Sequence, residues 1–261
     1  MRRSARANVD RSLAGVYETR AAGRPQELDP MIAALINLLL VLFLLAGVPL
    51  LSFLSTRQPE LLTAPRRALY FSAVLSQWLL AVLTAFIIVL TSAGFVGFAT
   101  IPWTGFVRWT VGLFGASLAG MGVGALLEST GAWPGESPLV RRLIPRTRSE
   151  KLWALLIVAP TAGVCEEFVY RGYLLSQLSD FTHSAALAWA LSSIAFGLCH
   201  GYQRSVGAVR ATLLGALLAA PVVLAGAIYP SMAAHFLIDV AGLLWIGPAS
   251  IKERELEESQ V

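Results

Sequence analysis

The 261-residue chain is 56% hydrophobic and only 14% charged, with a mean hydropathy of +0.66. A soluble domain carries about 25% charged residues, so a water-exposed globule is excluded as its main architecture. The net charge of +4 and pI near 9.4 fit basic loops touching anionic lipid headgroups, and no basic face interleaved with aromatics points to nucleic acid.

Residues 1–30 form a polar tail with six arginines and four acids. The first apolar run, Met31–Leu54, extends 24 residues without a charge. About 20 apolar residues cross a bilayer core as a helix, whose backbone groups must all be satisfied internally. The run starts too late and is too long for a secretory leader. Further apolar runs at 69–91, 106–127, 152–165, 184–200, 208–228 and 231–247 predict an all-α, multi-pass bundle of seven or eight spans. In a bacterium its place is the inner membrane. The fourth run is the first part of a longer helix continuing through Arg171 toward Leu178. The sixth, interrupted by Pro221 and bounded by Pro230, is either one kinked helix or two pieces.

The chain thus divides into a tail (1–30), N-terminal membrane helices (31–130), a basic loop (131–150), a C-terminal helical core (151–250) and an acidic tail (251–261). Small residues in the third run, Gly112, Gly115, Gly120, Gly122 and Gly124, predict tight helix packing. Charge alone does not orient the chain. The arginine-rich tail calls for a cytoplasmic N-terminus, whereas the basic stretches Thr56–Arg67 and Gly131–Lys151 then fall on the opposite side.

Ionisable groups within apolar spans are costly and are functional candidates by default. In the C-terminal half these are Glu166, Glu167, Arg171, His200, His235 and Asp239. His183 falls in a loop and reads as solvated. Glu167 and Arg171 are spaced for an i,i+4 ion pair with the acid on the favourable N-terminal side. Glu166 points about 100° away, free for chemistry. His235 and Asp239 share one helix face, and Phe196 and His200 repeat that spacing on another. Three polar stripes on three apolar helices bury their polarity best against one another. Interhelical polar contacts contribute only about 0.6–2 kcal/mol each, too little to explain so many costly groups as mere glue.

A carboxylate with two imidazoles is a set suited to activating water. The same set, Glu166, His200 and His235, suits a zinc ion with an open water position. Cys165 and Cys199 adjoin the motif residues but point elsewhere on their helices, and read as small core residues. A different class of function, an ion- or proton-coupled carrier, uses such groups as a relay; no internal repeat of the kind common in carriers is visible.

At these residues the sequence resembles the CAAX-protease and bacteriocin-processing family of intramembrane endopeptidases, related to type II CAAX prenyl endopeptidases. The family pattern is EExxxR, then FxxxH, then HxxxN or HxxxD. Here it reads Glu166-Glu167-Phe168-Val169-Tyr170-Arg171, then Phe196 to His200, then His235 to Asp239. The likeness covers about residues 151–247. It implies a membrane peptidase in which Glu166 is the general base, His200 helps hold the attacking water, and His235 with Asp239 stabilises the oxyanion. Glu167, Arg171 and Phe196 are implied as supporting residues. It also implies a peptide or protein substrate, including lipidated C-terminal tails, and leaves metalloprotease and metal-free schemes both open. Asp239 stands where asparagine is commoner. An ionised aspartate accepts hydrogen bonds and donates none, so it acts protonated, leaves the oxyanion to His235, or assists a metal. A catalytically silent scaffold or immunity-type member of the fold is the remaining alternative.

Overall fold

The computed structural model describes residues 28–135 and 137–248. The polar tail, apart from residues 28–30, and the acidic tail 251–261 lie outside the described residues. Seven apolar helices carry the fold. They are α1 (Pro30–Ser55), α2 (Arg66–Thr91), α3 (Trp103–Ser129), α4 (Arg148–Thr182), α5 (Ala185–Leu198), α6 (Arg204–Ala225) and α7 (Tyr229–Ile246). All but α5 are long and apolar enough to cross a membrane. The 14 residues of α5 span about 21 Å, short of a hydrocarbon core of about 30 Å. The seven expected runs each form a helix, six of them of crossing length, and no eighth span is found among the described residues. A single antiparallel bridge, Phe98 to Ala227, is the extent of β pairing there.

Local chemistry sets the helix ends. Asp29 caps α1, its Oδ1 accepting from the Met31 and Ile32 amides at 2.8 and 3.3 Å. Thr147 and Glu150 form a reciprocal capping box at the start of α4. Gly226, at φ +65°, ends α6 in the left-handed conformation glycine adopts without strain. Pro221 lies inside α6, which is therefore one helix, and Pro230 stands in the first turn of α7. Helix α4 does run on through Arg171, as far as Thr182, and His183 beyond it is exposed.

Four helix segments widen into π-helical turns among the described residues: Phe43–Gly47, Ala154–Val158, Phe168–Leu174 and Gly242–Ile246. Three of them end two residues before a proline (Pro49, Pro160, Pro248). Proline lacks an amide and crowds the carbonyl one turn back, so a widened turn there accommodates the ring. The turn Phe168–Leu174 has no such proline. It follows the glutamate pair directly and contains Arg171, and π-helical widening within α-helices is frequent at functional sites.

Close packing rests on glycines, though not on those expected. At Gly163 an added Cβ would stand 2.9 Å from the Met232 carbonyl and 3.1 Å from the Phe236 amide, so α4 and α7 approach backbone to backbone. Gly197 lets α5 sit against Thr212 and the Ala208 carbonyl of α6. The glycines of α3 behave differently. A Cβ at Gly112, Gly115, Gly120 or Gly122 would meet nothing within 4 Å, and at Gly124 it would only touch Arg210. The expected tight packing there is not made, because α3 turns Leu113, Phe114 and Met121 toward Leu218, Ala234 and Ile238 and leaves most of its glycines facing outward. Gly197→Ala is therefore expected to lower stability by about 1–3 kcal/mol through overpacking, whereas Gly115→Ala lowers it not at all. Thermal unfolding in detergent checks the contrast.

The expected basic loop contains a short helix, Pro138–Leu143, and it meets the other basic stretch at one end of the bundle. Arg142 donates to the Ala64 carbonyl (2.8 Å), Tyr70 to the Leu143 carbonyl (2.7 Å) and Arg67 to Ser149 (2.9 Å). Both basic segments thus face the same side. Large exposed apolar side chains such as Leu79, Val89, Val111, Leu126 and Leu213 cover the helix flanks, as lipid contact requires. The protein is an integral membrane protein.

Candidate active site

The three polar stripes converge where α4, α5 and α7 meet. The α4–α7 approach at Gly163 brings His235 beside both glutamates. Its Nδ1 lies 2.7 Å from Glu167 Oε1, and its Nε2 lies 3.8 Å from both Glu166 Oε2 and Asp239 Oδ1. Glu167 Oε1 also meets Arg171 Nη1 at 3.1 Å. The i,i+4 pair foreseen in the sequence is therefore a triad, with one carboxylate oxygen shared by a guanidinium and an imidazole. Glu167 and Arg171 are fully buried, at 0% and 1% exposure.

Phe196 organises the other side. The Arg171 guanidinium lies over its ring, 3.9 Å from the centroid. His200 packs against the same ring at 4.7 Å between centroids, and His235 meets its edge at 6.1 Å. Both imidazoles thus touch one phenyl group and stand on the same side of the bundle. His200 Nδ1 is engaged by the Phe196 carbonyl at 2.8 Å, which leaves Nε2 as its unengaged nitrogen.

Glu166 is 18% exposed, and its two oxygens differ. Oε1 accepts from Gln77 Nε2 at 2.5 Å. Oε2 is buried without a hydrogen-bond partner and faces His235. Asp239 is 29% exposed. Two carboxylates thus stand 3.8 Å from His235 Nε2, and the His200 ring shares the Phe196 face with that imidazole.

Gln77 is not singled out by the motif spacing. It is the one amide side chain of α2. The serine and threonine hydroxyls of that helix, Ser72, Ser76, Thr84 and Thr91, bond back to carbonyls three or four residues earlier. The Gln77 amide reaches across to α4 instead, and its presence in an apolar helix was the available signal. Cys199, expected to be a bland core residue, contacts the Tyr170 hydroxyl at 2.8 Å, and Cys165 is buried.

Two imidazoles with engaged Nδ1 atoms and a carboxylate suit zinc chemically. Among the described residues, however, no group of three or more His, Cys, Asp or Glu side chains is gathered so as to hold a metal ion.

No curated protein and no solved structure matches the chain. A family model does, over residues 148–241, described as type II CAAX prenyl endopeptidase Rce1-like. The matched stretch opens at the first residue of α4, closes in α7, and contains all three polar stripes. Residues 148–241, about a third of the chain, are similar to the Rce1-like family of type II CAAX prenyl endopeptidases.

Proposed function

We propose that the protein is an intramembrane endopeptidase that hydrolyses a peptide bond with water activated by Glu166. The observation that carries this reading is the unpartnered Oε2 of Glu166, buried and aimed at His235 Nε2 across 3.8 Å. A carboxylate held there by Gln77 has one oxygen free to take a proton from water as the water oxygen attacks the scissile carbonyl carbon. His200, through Nε2, holds that water.

His235 serves the oxyanion. With Nδ1–H donated to Glu167, its Nε2 is the atom that faces the reacting centre. When the ring carries both protons it donates from Nε2 to the carbonyl oxygen as negative charge develops there. Asp239, on the same nitrogen, acts by orienting the ring rather than by donating. As the tetrahedral intermediate collapses the C–N bond breaks, and Glu166 returns its proton to the departing amine. Each proton taken is given back, and one water is consumed.

The substrate is a peptide or protein whose scissile bond lies beside the bilayer, with a lipidated C-terminal tail as the class to test first. Purified protein in bilayer nanodiscs should release the C-terminal fragment from a lipidated reporter peptide and act more slowly on its unlipidated twin. His200→Ala should lower that release by about 10²-fold or more. Equal cleavage by His200→Ala and the unaltered protein would remove His200 from the mechanism, and no cleavage of any peptide would remove the peptidase reading.

A further inference from the structure

We infer that Gln77, from the half of the chain outside the family match, is a positioning residue that decides which oxygen of Glu166 acts as the base. The inference rests on the hydrolytic reading of the site. A carboxylate accepts hydrogen bonds and donates none, so the amide face turned to an ionised Glu166 must be its NH₂. That assigns the amide orientation by chemistry rather than by shape. The 2.5 Å contact commits Oε1. Oε2, with no hydrogen-bond partner and His235 Nε2 at 3.8 Å, is the oxygen left for water.

The contact serves both halves of the cycle. When Oε2 has taken its proton, Oε1 is still a carbonyl-type acceptor for the same Gln77 N–H, so the carboxyl plane is held as the proton arrives and leaves. Without the amide, Glu166 has no hydrogen bond to fix its terminal torsion, which is soft in glutamate. Helix α2 is itself anchored next to this point, because Trp78 donates to Thr161 of α4 at 3.2 Å. The site is therefore built across the boundary between the matched and unmatched parts of the chain. Gln77 Oε1 is also buried without a hydrogen-bond partner, and it presents an acceptor beside the reacting carboxylate.

The test replaces Gln77 with methionine, which keeps length and volume and loses the amide. Hydrogen bonds that orient the ligands of metal sites are worth about 10–100-fold in activity, and the same scale is expected for a hydrogen bond that orients a catalytic carboxylate. We expect kcat to fall by that amount with KM changed less than about twofold, since an effect on the reacting group alone leaves ground-state binding intact. A second readout needs no turnover. Difference infrared spectra between the unaltered protein and Glu166→Gln isolate the Glu166 carboxyl bands, and in the Gln77→Met background those bands should move. Unmoved bands would overturn the contact, and moved bands with unchanged kcat would overturn its role. Failure of the unaltered protein to cleave would count against the peptidase reading, while the infrared shift would still decide whether Gln77 holds Glu166.

Discussion

Glu166→Gln should reduce peptide cleavage by roughly 10²–10⁴-fold, the contribution of a general base, while the protein stays folded in the membrane. The substitution preserves side-chain volume and removes the group that accepts the proton. Its structural effect should be small. Glu166 makes one hydrogen bond, from Gln77, and its other oxygen has none. A neutral amide is also less costly to bury than a carboxylate. Cleavage of a reporter peptide, measured alongside thermal unfolding of the same preparation, separates the two effects. Near-normal cleavage by a folded Glu166→Gln protein would end the assignment of Glu166 as base.

The neighbouring glutamate should behave in the opposite way. Glu167→Ala is expected to destabilise the protein by about 3–5 kcal/mol, the penalty for removing one partner of a buried ion pair. The loss strands Arg171, at 1% exposure, and deprives His235 Nδ1 of its partner at 2.7 Å. Arg171 cannot lose its proton to escape, and its guanidinium is held against the Phe196 ring. A double-mutant cycle makes the test specific. Glu167→Ala with Arg171→Met should be less destabilised than the sum of the single changes. Strict additivity would show that the two side chains do not depend on each other. Non-additivity would divide the two adjacent glutamates into one that reacts and one that holds.

Much of this was legible in the sequence, for reasons that particular residues make clear. The Glu167–Arg171 pair follows from helical spacing, and the divergence of Glu166 from the same arithmetic. The convergence of three polar stripes follows from the cost of leaving charges in lipid. The third member of the triad, His235, could not be read in the same way. It depends on Gly163 admitting the backbone of α7, and nothing local at His235 encodes that approach. The glycines of α3 misled because small residues read alike whether they face a helix or the bilayer. In lipid, inward and outward positions are both apolar, so the direction of a face is weakly written. The widened turn at Phe168–Leu174 was invisible because no proline marks it. Gln77 was missed for want of a partner in view, its acceptor lying 89 positions along the chain.

The proposed hydrolysis would need water as a second substrate inside the bilayer, and the brevity of α5 bears on its supply. The helix covers about 21 Å of a core of about 30 Å, so the chain turns back through Gly201–Gln203 before the bilayer is crossed. Its polar backbone is tied down by protein, with the Tyr202 amide on Ser52 and the Tyr202 carbonyl accepting from Ser137. His200 sits at the head of this turn, half-buried. On the hydrolytic reading, this early turn is the side from which water and a peptide would reach His200.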